Sequence, residues 1–176
     1  MVEESLMLAY HGKKSCETDF HCHIEKSFDP NVPAIKVAVQ DIRRVIINLI
    51  NNAFYAVHEK DQSSKTHKQA IGYKPHLRVI TRLVNNMILI EIEDNGSGIP
   101  DEIKEKIFNP FFTSKPTGKG TGLGLSISFD IIEKQHQGKI SFESQKDSGT
   151  VFRILLPLNL TNDQKSTSEN AEKTMA

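Results

Sequence analysis

Four glycines stand on alternate positions in Gly118-Lys119-Gly120-Thr121-Gly122-Leu123-Gly124-Leu125, directly ahead of a stretch with helical periodicity. A glycine-rich turn that opens a helix presents unpaired backbone N–H groups and the positive end of the helix dipole. Together these make a cradle for a polyphosphate. The spacing satisfies neither the Walker pattern ending in Gly-Lys-Ser/Thr nor the dinucleotide pattern Gly-x-Gly-x-x-Gly, so P-loop and Rossmann sites are disfavoured. The glycines continue into the helix start, where propensity opposes them, which argues against an idle surface loop.

Two further clusters carry polar chemistry. Asn48 and Asn52 are four residues apart on a helical stretch, with Tyr55 continuing their stripe, so both amides can face one site. An amide oxygen is a hard neutral ligand suited to Mg²⁺, although asparagines also occur on helix surfaces without any ligand. Asp94-Asn95-Gly96-Ser97-Gly98 follows a β-rich run and reads either as a glycine turn or as a nucleobase site. In the second reading Asp94 accepts a hydrogen bond from the exocyclic amine of adenine while Gly96 and Gly98 let the backbone approach the ring. Guanine presents an acceptor there, so a fixed carboxylate selects ATP over GTP. Between the glycine motifs, Phe108, Phe111 and Phe112 read as core anchors or lid hinges. Lys115 and Lys119 flank the glycine loop, where an ammonium could offset phosphoryl charge or simply be solvated.

The elements that must position these groups follow from periodicity. Ile42, Val45, Ile46, Leu49, Ile50, Ala53 and Val57 share one arc at helical spacing, predicting a core-facing helix over 41–57. Two strands are expected before it, over 20–25 and 34–39, with a turn at Asp29-Pro30-Asn31. The polar stretch 58–76 reads as a surface excursion. Strands over 77–84 and 87–93 are joined by Asn85-Asn86, which tolerate the positive φ of a tight hairpin. A short helix is predicted from Pro100 to Phe108 and a longer one over 123–137, ended by Gly138. A second hairpin follows, 139–145 and 150–156 around Asp147-Ser148-Gly149. This irregular alternation predicts an α+β two-layer sandwich.

Length and composition bound the function. The 176 residues, 38% of them hydrophobic, suit a single domain. Lys plus Arg and Asp plus Glu both number 22, so no global field would attract nucleic acid or an acidic membrane surface. Two cysteines, Cys16 and Cys22, cannot frame the fold, and a reducing cytoplasm fits best. Neither a signal peptide nor a membrane span is evident in this sequence, though a parent protein could be membrane-anchored. Residues 1–12, with Leu6, Met7, Leu8 and Tyr10 before His11-Gly12, suit the end of a helix from a preceding segment. Residues 13–158 form the domain, and 159–176 have the composition of a disordered tail. His21, Cys22 and His23, with Cys16 and His11 nearby, lack closed zinc spacing and read as an exposed strand face.

The ordered combination is more specific than its parts: Asn-Leu-Ile-Asn-Asn-Ala at 48–53, Asp94-x-Gly96-x-Gly98, the Phe-rich box, and Gly-Thr-Gly-Leu-Gly-Leu at 120–125. Over residues 30–158 it resembles the N, G1, F and G2 boxes of sensor histidine kinases, members of the GHKL superfamily with gyrase, heat-shock chaperones and mismatch-repair ATPases. The resemblance implies a Bergerat fold, a mixed and mostly antiparallel sheet covered on one face by three helices. It implies ATP and Mg²⁺ as cofactors, with Asn48 and Asn52 as metal positions, Asn52 first, and catalytic positions at Asn48 and Lys115. Nucleotide contacts are implied at Asn52, Tyr55, Asp94, Gly96, Gly98, Ile99 and Phe112, and from the lid at Lys119, Gly120, Thr121, Gly122, Leu123, Gly124 and Leu125. Thr150 matches a threonine that supports the acid and the adenine. The lid is short, as in nitrogen-regulator-type kinases.

Hydrolysing members carry a glutamate four residues before the Mg²⁺ asparagine; here that position is Asn48, a neutral amide that cannot take a proton. Transfer to a protein acceptor is therefore expected over hydrolysis. The resemblance implies, as partners, histidine-bearing dimerisation helices and a response regulator. An acceptor histidine is not evident in this chain, since the one His-Glu pair, His58-Glu59, follows the N-box helix. An ATPase clamp of the same superfamily and an ATP-binding module without transfer are the alternatives.

Overall fold

The structure, a computed structural model, describes residues 1–67 and 72–158. Five strands form one sheet in the order β1-β2-β3-β5-β4. They are β1 (His23–Phe28), β2 (His76–Val84), β3 (Met87–Asp94), β4 (Lys139–Gln145) and β5 (Gly149–Pro157). β1 runs parallel to β2, and every other pairing is antiparallel. The helices are α1 (Val2–Cys16), α2 (Val39–His67), the short α3 (Asp101–Lys104) and α4 (Gly124–Phe129), which continues as a π-helical turn over Asp130–Gln135. α2 packs against α1, α4, the π turn and the central strands, which makes the expected two-layer α+β sandwich.

The period-two pattern of β3 decides what faces the helices. Ile88, Ile90 and Ile92 are buried and Asp94 shares their face, whereas Glu91 and Glu93 point the other way. On that opposite face Arg78 pairs with Glu93, and Arg153 bridges Glu91 and Glu143, both at 2.7 Å. From β5, Phe152, Ile154 and Leu156 join the core, and Thr150 lies opposite Asp94 in the ladder. α2 closes the core with Ile42, Val45, Ile46, Leu49, Ile50, Phe54 and Val57, of which each large side chain contributes about 1.5–3 kcal/mol through burial. Asn85 and Asn86 adopt φ of 48° and 61°, as the β2–β3 hairpin requires.

Several boundaries differ from the sequence reading, among them the short helix expected from Pro100 to Phe108, which spans Asp101–Lys104. The first strand begins at His23, not Phe20, because pairing with β2 starts at His76; Phe20 is instead buried against Phe54 and Tyr10. The second expected strand, 34–39, does not form: residues 34–38 have no regular structure and Val39 already opens α2, while Ile35 and Val37 pack on the core and Ala38 N–H donates to His136 Nε2 at 3.2 Å. Its β-rich composition serves packing and not a ladder. α2 does not stop at Val57. It runs on to His67, tied down by Lys60 and by an Asp61–Lys65 pair at 2.5 Å, so most of the supposed excursion is helix. α1 likewise passes Gly12 and ends at Cys16. The helix expected over 123–137 occupies Gly124–Gln135, and the positive φ after it falls on Gln137. The tail expected over 159–176 lies outside the described residues, as do 68–71.

Gly149, which opens β5, has φ +116°, and a Cβ there would stand 2.0 Å from the Asp94 carbonyl oxygen. Gly149→Ala is expected to destabilise the domain by about 2–4 kcal/mol, read from the shift in the urea unfolding midpoint at constant m-value.

Candidate functional site

A cleft of about 970 Å³ lies between the inner flank of α2, the loop after β3, the β4–β5 turn and the glycine-rich segment. Its size is that of a small-molecule site. Each end is built differently.

At the sheet end stands Asp94, 6% exposed because strand alternation turns it into the helix-facing layer. Its Oδ1 accepts from Gly96 N–H at 2.8 Å, and the Thr150 backbone N–H also bonds the carboxylate. Burial raises its pKa to about 7, while those N–H groups and the nearby Lys60 ammonium pull it down and Glu93 pushes it up. The Thr150 hydroxyl shares a hydrogen bond with Ser144 Oγ at 2.9 Å, and Ser144 Oγ accepts from Ile99 N–H at 2.8 Å. Thr150 thus holds the acid through its backbone and the cleft wall at Ile99 through its side chain. Ile99, Ile103, Ile107 and Phe152 supply an apolar surround.

At the other end, α2 presents its two amides. Asn48 Nδ2 donates to Ser128 Oγ at 3.0 Å, and Ser128 Oγ donates to Gly124 O at 2.9 Å, tying α2 to the start of α4. This close approach needs a glycine, since a Cβ on Gly124 would lie 2.2 Å from Asn48 Oδ1. Asn52 Oδ1 accepts from Lys115 Nζ at 2.8 Å, and the same ammonium sits 4.5 Å from the centre of the Tyr55 ring. Burial, followed by repulsion from Lys13, lowers the Lys115 pKa. Burial and then Glu59 raise that of Tyr55. A cation therefore already occupies the position in front of the Asn52 oxygen, so the donor set suits a metal ion bound together with an anion.

Nearly all the residues singled out from sequence meet in this cleft. Asn48, Asn52, Tyr55, Asp94, Gly98, Ile99, Phe112, Lys115 and Thr150 line it, as do Lys119, Gly120, Thr121, Gly122, Gly124 and Leu125. Gly96 stands behind Asp94, where a Cβ would meet the Ala56 backbone at 2.6 Å. Leu123 lines a neighbouring groove with Asn48 and Ile127. Of the three phenylalanines expected as core anchors or lid hinges, Phe108 and Phe112 pack on the core, whereas Phe111 is 76% exposed and is not a core anchor. Sequence reasoning missed Lys60, whose Nζ bonds three backbone carbonyls at the acid's end of the cleft. The signal was present: Asn48, Asn52, Ala56 and Lys60 form one i+4 stripe, hidden by ending the helix at Val57.

If Asp94 accepts from an adenine amine, as the sequence reading expects, the ionised carboxylate is the stronger acceptor, so the sign of its shift sets a pH dependence. ATP affinity is expected to fall as pH drops below about 7, by about tenfold per unit, because binding must first release the carboxyl proton. Asp94→Asn should flatten that slope and weaken binding by about 10- to 100-fold, measured by calorimetric titration between pH 8 and 5.5.

Comparison with known proteins agrees with this geometry. Residues 38–160 match the family described as histidine kinase-, DNA gyrase B- and HSP90-like ATPase. The chain is 40% identical over 126 residues to the sensor kinase CckA of Brucella abortus, covering 70% of this chain and 13% of that protein. It is 33% identical over 165 residues to the signal transduction histidine-protein kinase AtoS of Escherichia coli, covering 93% of this chain and 24% of that one. The chain thus spans a quarter or less of these two relatives. Among solved structures it resembles the catalytic domain of histidine kinase ThkA, with a TM-score of 0.67 and 29% identity over 89% of this chain and 91% of that one. Fold, cleft and sequence agree: the chain belongs to the histidine kinase-, DNA gyrase B- and HSP90-like ATPase family, as an ATP-binding catalytic domain of the sensor histidine kinase type.

Proposed function

We propose that this domain transfers the γ-phosphoryl group of Mg-ATP to a histidine on a dimerisation helix of its parent kinase, for relay to a response regulator in the cytoplasm. The observation that supports the reading is that, among the described residues, the phosphate end presents amides, hydroxyls and lysines and no carboxylate. Asn48 matches the position from which a carboxylate would activate water, and its amide, whose Nδ2 donates to Ser128 Oγ, cannot take a proton. Among the described residues lining the cleft the carboxylates are Glu59, Asp94 and Asp147. Asp94 and Asp147 belong to the sheet end. Glu59 lies 11 residues beyond Asn48, about 16 Å along the helix axis. Attack by an acceptor nitrogen needs no such base, because the imidazole brings its own lone pair.

In this reading the roles divide along the cleft. Asp94 reads adenine, with Gly96, Gly98, Ile99 and Thr150 shaping its surroundings. The glycine segment 118–125 and Lys119 close over the phosphates. Asn52, assisted by Asn48, holds Mg²⁺, which would neutralise phosphate charge when bound. Lys115 then leaves the Asn52 oxygen and, as a flexible ammonium, becomes available to the transferring group. α1 fits the end of the preceding dimerisation segment, since Leu8 and Met7 on its outer face are 61% and 40% exposed.

Incubation of the domain with γ-labelled Mg-ATP and a separately supplied histidine-bearing helical hairpin should give acid-labile, alkali-stable label on the hairpin. Steady phosphate release without label, or acid-stable label on serine or threonine, would refute the assignment. Lys115→Ala should lower the transfer rate by about 10- to 1000-fold while changing ATP affinity far less.

A further inference from the structure

Lys60 is bonded more extensively than a surface lysine needs to be. Its ammonium donates to Asp147 O at 2.7 Å, Asn95 O at 2.9 Å and Gly96 O at 3.2 Å, which uses all three of its protons. It also lies 4.9 Å from the centre of the Tyr73 ring. Three carbonyl oxygens converge on one point only if a cation offsets their mutual repulsion. Those carbonyls come from two separate segments, the loop after β3 and the β4–β5 turn, and Asp147 N–H donates to Ser97 O at 2.7 Å between them.

We propose that Lys60 is a positioning residue for adenine recognition, its ammonium locking the loop after β3 against the β4–β5 turn so that Gly96 holds Asp94 in its nucleobase-reading orientation. The proposal rests on the reading of Asp94 as the adenine acceptor. The chain of contact is short. Lys60 holds the Gly96 carbonyl, and the Gly96 N–H holds Asp94 Oδ1 at 2.8 Å. Asn95 is secured from its other side, its Oδ1 accepting from His76 N–H at 2.9 Å and lying 3.0 Å from the Tyr73 hydroxyl.

The charge of Lys60 acts in the same direction. The titratable groups around Asp94 are Lys60 from α2, Tyr73 ahead of β2, Cys22 ahead of β1 and Glu93 on its own strand. Lys146 and Asp147, opposite in sign, line the cleft from the β4–β5 turn. Burial, reinforced by the Asp94 charge, pushes the Cys22 thiol up to about 12 and raises the Tyr73 phenol, so both stay neutral near pH 7. Lys60 is the cation that favours the ionised carboxylate against burial.

The test compares wild type, Lys60→Met and Lys60→Arg in titrations with ATP and with purine riboside triphosphate, which lacks the exocyclic amine, at fixed Mg²⁺ and salt. Wild type should prefer ATP by about tenfold or more. Lys60→Met should bring that preference to within about twofold and move the midpoint of the pH–affinity curve upward, and Lys60→Arg should restore most of both. Equal weakening of the two nucleotides by Lys60→Met, with the preference unchanged, would make Lys60 a purely structural clamp and overturn the proposal. A wild type that does not distinguish the nucleotides would instead remove the adenine reading of Asp94, and the proposal with it. Should Lys60→Met not fold, Lys60→Gln is read by the same ratio, expected to fall in the same direction, and an unchanged ratio again overturns the proposal.

Discussion

A carboxylate buried at the end of a central strand is the constraint around which the rest of the domain is arranged. Burial alone would favour the protonated form of Asp94 and weaken it as an acceptor, since a charge removed from water is costly unless compensated. Compensation comes from backbone N–H groups of Gly96 and Thr150 and from the Lys60 field. Each of these depends on tertiary structure. Thr150 is opposite Asp94 only through the β3–β5 register, Gly96 fits against Ala56 only because it has no Cβ, and Lys60 arrives only because α2 is long.

The phosphate end is organised on the opposite principle. Its polar groups are neutral amides and hydroxyls, joined in a chain from Asn48 through Ser128 to the Gly124 carbonyl. Such a chain positions α4 against α2 without placing a formal charge at their contact. The mobile charge is Lys115, held between the Asn52 oxygen and the Tyr55 ring, where it is partly desolvated. A buried carboxylate at one end and amides, hydroxyls and lysines at the other give the cleft a direction.

α2 connects these ends. Asn48, Asn52 and Lys60 lie on one stripe spanning about 18 Å of helix, while the adjoining face carries the apolar core. Core packing and site geometry are therefore set by the same rotation of one helix. A change that rolled α2 to improve its packing would move both amides and the ammonium together. The far side of the sheet plays no part in the cleft. It carries the Arg78–Glu93 and Arg153–Glu91–Glu143 ion pairs, partly exposed and contributing little each.

Much of this was legible in the residues alone, wherever a local rule decides the outcome. Helical period exposed the core face of α2 and the Asn48–Asn52 pair, and β-rich composition marked the strands over 77–84 and 87–93. Asn85-Asn86 and Asp147-Ser148-Gly149 marked the hairpins because few residues adopt positive φ there. The order of the four motifs was enough to name the family, and family membership followed. What stayed hidden depended on partners distant in sequence. Polar composition concealed the helix beyond Val57 because its anchor, the Lys60 ammonium, bonds carbonyls 35 to 87 residues away. The β-rich stretch 34–39 joined neither edge of the sheet; Ile35 and Val37 pack on the core, and Val39 opens α2. Burial of Asp94, and with it the proton affinity that governs the site, was decided only when sheet and helix layer closed over it, since desolvation belongs to an environment and not to a residue type.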